Sequence, residues 1–90
     1  MDKTKIKEMV SKDYHVINEK EDNAMTFAKD PDYTVEIYGS TSENKGLIMC
    51  LYKKGILLDK AVNVKTNEIM SIISLFEKGI QKDFYYYPSN

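Results

Sequence analysis

The chain predicts an α+β fold: a short N-terminal helix, an antiparallel sheet of four to five strands, and a C-terminal helix packed on one face. Three observations carry the prediction. Apolar residues recur at helical spacing near both ends, at Ile6, Met9 and Val10 and again at Ile69, Ile72, Ile73 and Phe76. Between them the period drops to two, most clearly over residues 33–38. Clusters rich in Asp, Asn, Pro, Gly and Lys separate the alternating runs. A period near 3.6 lays one stripe of a helix on a core, and a period of two gives a strand with one covered face.

Taken in order, residues 3–12 make the first helix, two or three turns that turn Ile6, Met9 and Val10 inward and leave Lys3, Lys5, Lys7 and Lys12 in water. From Tyr14 the alternation begins. Tyr14, Val16 and Asn18 oppose His15, Ile17 and Glu19, and the polar group Glu21-Asp22-Asn23 turns the chain into a second strand over 24–29. Asp30-Pro31-Asp32 is the next turn, since proline fixes its own φ and aspartates hydrogen-bond nearby amides. In the strand 33–38, Tyr33, Val35 and Ile37 point one way and Thr34, Glu36 and Tyr38 the other, the pattern of a sheet with one covered and one more solvated face.

Residues 39–46 are a polar loop, and Leu47-Ile48-Met49-Cys50-Leu51-Tyr52, largely apolar on both faces, reads as a central strand. Lys53-Lys54-Gly55 turns into a strand over 56–64 whose polar residues fall at Asp59, Lys60 and Asn63. Thr66 or Asn67 is placed to cap the second helix, and Ile69, Ile72, Ile73 and Phe76, with Met70, give it a broad apolar face. Gly79 ends that helix, because glycine enters the left-handed region without Cβ strain and would return Ile80 toward Leu75 in a Schellman arrangement; the other ending is at Lys82.

Ninety residues, 42% hydrophobic and 30% charged, describe a single domain over 1–90 with an aromatic tail at 84–90. All 13 basic residues are lysine, and the net charge of −1 with interleaved signs gives no field that draws the whole molecule to nucleic acid or anionic lipid. Lysine without arginine, together with many Ile, Asn and Tyr, fits an AT-rich coding sequence and hence a low-GC bacterium or its phage. Cys50 sits in an apolar run and reads as a small buried hydrophobe. No apolar run approaches the roughly 18 residues of a membrane span, and the N-terminus lacks a signal-peptide core. The expected location is therefore cytoplasmic, without a membrane partner.

Chemical equipment is sparse. His15 has no second histidine or cysteine at ligand spacing, so no metal is expected. Asp30 and Asp32 flank a turn proline, which explains both without acid–base chemistry. No phosphate-binding, dinucleotide or nucleophile-elbow motif is present, and Ser71 and Ser74 are spacers on the polar side of the second helix. No catalytic residue, no cofactor and no enzyme activity is expected. Lysines and tyrosines can bind nucleic acid, with Lys53, Lys54 and Lys60 as the candidate basic patch. Without arginine, however, bidentate reading of guanine is missing, which makes direct binding weak.

What remains is surface. Phe84-Tyr85-Tyr86-Tyr87 cannot all lie on one buried face of a helix or strand, so some of these rings stay accessible or meet another molecule. A second surface gathers Glu19, Glu21, Asp22, Asp30, Asp32 and Glu36 near one sheet edge, with Tyr38 on the same strand face as Glu36. The expected partner surface is thus Glu19, Glu21, Asp22, Asp30, Asp32, Glu36, Tyr38, Tyr85, Tyr86 and Tyr87.

The order of elements, the start Ile6-Lys7-Glu8-Met9-Val10-Ser11-Lys12-Asp13-Tyr14-His15-Val16, and the stretch from Asn67-Glu68-Ile69 to Ser74-Leu75-Phe76-Glu77-Lys78-Gly79 resemble the small phage-encoded anti-CRISPR inhibitors of Cas9. About a third of the chain carries the likeness, through Asp13, Tyr14, Val16, Asn67, Glu68, Phe76 and Gly79. The resemblance implies a cytoplasmic inhibitor that fills a nuclease cleft with carboxylates in place of DNA phosphates. Unlike the markedly acidic member of that group, this chain is near neutral and ends in tyrosines. The expectation is a non-enzymatic phage or mobile-element protein that binds and inhibits a host protein such as a Cas or other defence nuclease. The alternatives are a self-associating accessory module, as a homodimer, and a weak lysine-mediated nucleic-acid binder.

Overall fold

The computed structural model describes residues 1–21, 23–39 and 46–79. Helix α1 spans Lys3–Val10 and is capped by Asp2, whose carboxylate accepts the Lys5 N–H at 3.1 Å. It stops short of the expected Lys12. The Tyr14 N–H bonds back to the Val10 carbonyl at 2.9 Å, folding the chain over so that the Tyr14 ring enters the core at 2% exposure.

Five strands follow: β1 (His15–Asn18), β2 (Ala24–Lys29), β3 (Tyr33–Gly39), β4 (Leu47–Lys53) and β5 (Ile56–Val64). They lie in sequence order, each antiparallel to the next. Short polar turns dictate this meander, because a tight connection can only join antiparallel neighbours. The expected face assignment fails once, in β1. Val16 pairs with Phe27 but Asn18 with Thr26, so the register slips at Ile17 and Asn18 turns to the face opposite Tyr14 and Val16.

Two rows of side chains run across the sheet on one face, Met25-Ile37-Met49-Ala61 and Phe27-Val35-Leu51-Asp59. The apolar members are buried and meet Ile6 and Val10 from α1, Tyr14, and Ile69, Ile72, Ile73 and Phe76 from the second helix. Both helices therefore lie on this face, with Met70 packed at its margin as the periodicity requires. Asp59 is buried among them at 4% exposure, with Oδ1 accepting the Lys60 N–H at 3.0 Å. Gly46 enters β4 at φ +66°, and a Cβ there would lie 2.9 Å from the Val64 carbonyl oxygen, so the close approach of β4 to β5 at this end requires glycine.

Helix α2 spans Ile69–Glu77, and the expected cap at Thr66 or Asn67 is corrected. Thr66–Glu68 form a 3-10 turn closed by the Glu68 carboxylate, which accepts the Lys65 N–H at 2.8 Å, and Glu68 stands at the N-cap position of α2 without a side-chain cap bond to it. The helix ends at Glu77 rather than running to Lys82, with Gly79 at φ +71° as expected; Ile80 lies outside the described residues.

The end of α2 is fastened to the sheet. The Phe76 ring meets Tyr33 edge-on with centroids 5.7 Å apart. Glu77 accepts the Tyr14 hydroxyl at 2.6 Å and the Lys29 ammonium at 3.1 Å. Burial, reinforced by that bond to a carboxylate, holds the Tyr14 phenol far above its ordinary pKa. Removing the hydroxyl with Tyr14→Phe should cost about 1–2 kcal/mol in urea unfolding. Phe27→Ala, at the centre of the core, should cost about 3–5 kcal/mol by the same measurement.

Candidate binding face of the sheet

Because both helices occupy one face, the other face of the sheet is left open among the described residues. Its side chains also fall in rows: Ala24-Tyr38-Ile48, Thr26-Glu36-Cys50-Lys60, and Ala28-Thr34-Tyr52-Leu57. Alternation alone puts Glu36 there, since Val35 and Ile37 on either side are fully buried. The small residues of β2 keep the surface low beside it. Asn18, Glu21, Ala24, Thr26, Glu36 and Tyr38 line a shallow depression of about 110 Å³.

Glu36 organises the face. The Tyr52 hydroxyl donates to its Oε1 at 2.5 Å from the diagonal position on β4, and the Tyr38 hydroxyl lies 3.4 Å from the same oxygen. Tyr38 also sits 3.1 Å from Cys50 Sγ, so its single proton serves one neighbour or the other. The bond to the Glu36 carboxylate, with some burial, pushes the Tyr52 phenol up to about 12. Burial, with the Cys50 contact, pushes Tyr38 up as well. Both rings thus stay neutral donors throughout the ordinary pH range. Among the described residues Oε2 of Glu36 accepts no side-chain bond.

This arrangement is suited to recognition. A carboxylate held by phenols, a second carboxylate at the rim and partly buried tyrosine rings beside them can receive an ammonium or guanidinium group from a partner. Among the described residues, no three His, Cys, Asp or Glu side chains converge as a metal site, and His15 is exposed.

Of the residues expected at a partner surface, the fold brings together Glu21, Glu36 and Tyr38. It separates Glu19, Asp30 and Asp32 from them. Glu19 pairs with Lys7 of α1 at 3.1 Å, and its carbonyl and that of Glu21 each accept the Lys3 ammonium at 2.7 Å, so its carboxylate serves the helix. Asp30 and Asp32 lie at the β2–β3 turn, where the Asp32 carbonyl accepts the Lys54 N–H at 2.9 Å; four residues of strand, roughly 13 Å, part Asp32 from Glu36. Asp22, Tyr85, Tyr86 and Tyr87 lie outside the described residues.

The lysines expected as a patch divide between faces. Lys53 shares the helix side with Tyr33, whose ring its ammonium approaches at 5.7 Å, and Lys60 shares the open side with Cys50. Sequence reasoning missed Tyr52 and the thiol of Cys50 as members of the cluster, because only the β3–β4 register sets them beside Glu36 and Tyr38. It also missed the exposure of Ile56, Leu57 and Leu58 at 63%, 49% and 44%. No described helix is long and apolar enough to cross a membrane.

Comparison with protein-family models, with curated proteins and with solved structures finds no match. The open face must be read from its own chemistry.

The Tyr52–Glu36 bond has a pH signature. A phenol whose folded pKa lies above its unfolded value contributes stability that is fully present below about pH 10 and is lost as pH rises toward 12. Absorbance titration of tyrosinate should therefore show a late-ionising ring, and Glu36→Gln should move it back toward the ordinary tyrosine value and lower the stability measured by unfolding at pH 7.

Proposed function

We propose that this chain is a non-enzymatic binding protein that sets the open face of its sheet against a basic surface of another protein. The observation that carries the reading is Glu36, fixed at the centre of an uncovered sheet face by tyrosine hydroxyls and flanked by Glu21 across a shallow depression. Preorganised carboxylates accept arginine and lysine without first reordering themselves, which lowers the entropic cost of association. Tyrosines supply contact area with few rotatable bonds.

The resemblance through residues 6–16 and 67–79 gives the proposal its direction. The chain acts as a phage or mobile-element inhibitor in the bacterial cytoplasm, and the partner is a defence nuclease whose nucleic-acid cleft is lined by arginines. Glu36 and Glu21 then stand where phosphates would lie. Among the described residues, three of the expected carboxylate and tyrosine contacts, Glu21, Glu36 and Tyr38, share this face, which suits mimicry of a short stretch of backbone rather than of a duplex.

The test is a DNA-cleavage assay with a Cas9-type nuclease, preincubated with the chain or with its Glu36→Lys variant, alongside a direct binding measurement. The wild-type chain should suppress cleavage. Charge reversal at Glu36 should weaken binding by about tenfold to a hundredfold, on the order of 1.4–2.7 kcal/mol, and Tyr38→Ala should weaken it less. Cleavage unaffected by any excess of the chain would remove the nuclease reading, and binding insensitive to Glu36→Lys would remove the open face from the interface.

A further inference from the structure

Exposed apolar surface is concentrated on one short stretch of β5. Ile56, Leu57 and Leu58 are 63%, 49% and 44% exposed, whereas elsewhere among the described residues exposed large apolar side chains occur singly, at Met1 and Ile17. Ile56 pairs with Lys53 and points to the helix side, Leu57 pairs with Tyr52 and points to the open side, and Leu58 sits in the irregularity before Asp59. β5 is the last strand of the sheet, and its outer edge has no neighbour among the described residues. An edge of this kind offers backbone donors and acceptors to an added strand.

Lysines bracket the run. Lys54 precedes it in the hairpin turn at φ +54°, and Lys60 follows it on the open side. Among the described residues neither has a carboxylate partner, since the ion pairs there are Lys7–Glu19 and Lys29–Glu77. Asp32 meets Lys54 through its backbone carbonyl, and Lys53 rests against the Tyr33 ring. Asp59, the carboxylate between Leu58 and Lys60, is 4% exposed and accepts the Lys60 N–H. The edge therefore shows an outward surface that is apolar in the middle and cationic at both ends.

That pattern decides between occupants. A second copy paired antiparallel about Leu57, the middle of the run, sets Lys54 opposite Lys60 at both ends, and like charges directly opposite are destabilising. A nucleic-acid strand satisfies the lysines but seeks aromatic platforms for its bases, which this aliphatic run does not provide. A strand with carboxylates on either side of apolar residues turns both lysines into ion pairs and covers Ile56, Leu57 and Leu58 at once.

We infer that the β5 edge is the docking site for an extended acidic–apolar segment of another protein, with its apolar residues on Ile56, Leu57 and Leu58 and its carboxylates on Lys54 and Lys60. This assignment does not depend on the function proposed above. The open face offers a carboxylate to a cation, whereas the edge offers cations to carboxylates.

The test uses the full chain and two probes, a short peptide of central valines flanked by glutamates and its counterpart with lysines in place of the glutamates. Binding is read by amide and methyl chemical shifts, and the mass of the free chain by light scattering. The glutamate probe should shift the resonances of residues 56–60 and bind about tenfold tighter than the lysine probe, to a chain whose free mass is that of one copy. Lys54→Asp combined with Lys60→Glu, both at exposed positions, should reverse that preference while the resonances of Phe27 and Val35 stay in place. Residues 56–60 unmoved by the glutamate probe, equal affinity for the two peptides, or shifts centred on Glu36 would overturn the proposal. So would a single-stranded oligonucleotide that perturbs 56–60 as strongly as the glutamate probe, or a two-chain mass that reverts to one chain in Leu57→Glu, which assigns the edge to a second copy.

Discussion

Coverage is the constraint from which the rest of the molecule follows. Helices of eight and nine residues are about 12 and 14 Å long, whereas a sheet of five strands is about 19 Å across and presents two faces. Two such helices can seal one face around Phe27, Val35, Ile37, Met49 and Leu51, and no more. Placing them on one side gives a single dry core with full burial at its centre, which a chain of this size needs. Splitting them between the faces would leave two thin cores, neither of them closed.

The arrangement leaves the other face of the sheet uncovered among the described residues. The open face carries Glu36 at its middle, and the sequence compensates by surrounding the carboxylate with phenols rather than lysines. A lysine partner would neutralise the site. A phenol satisfies one oxygen, stays uncharged and leaves the negative charge of the carboxylate in place. The exposed aliphatic residues Ile56, Leu57 and Leu58 on β5 are the other remainder.

Much of the fold was legible because local signals agreed with the global answer. The alternation of Val35 and Ile37 with Glu36 and Tyr38 survives intact, β2 and β5 fall at the expected boundaries, and Gly79 ends the second helix. The failures are places where tertiary contacts override a local pattern. Tyr14 is pulled from the strand end into the core, Ile17 is extruded by a register slip, and Glu68 takes the N-cap position of α2 in place of Thr66 and Asn67. Site residues are harder, since they depend on pairing across strands. Glu36 and Tyr38 share a strand face and could be read directly, whereas Tyr52 joins them only through the β3–β4 register. Glu19, two residues from Glu21, looked equivalent to it but turns to Lys7.

Neighbours in this sheet are neighbours in sequence, so each hairpin can close on the one before it without waiting for a distant segment. Such wiring has low contact order for a sheet protein and a correspondingly small loop-closure cost. The long bridges are those of the second helix end, Glu77 to Tyr14 across 63 residues and to Lys29 across 48, with Phe76 on Tyr33. The polypeptide is therefore wired to assemble quickly from the middle outward, with its two helical ends locking together as the closing step.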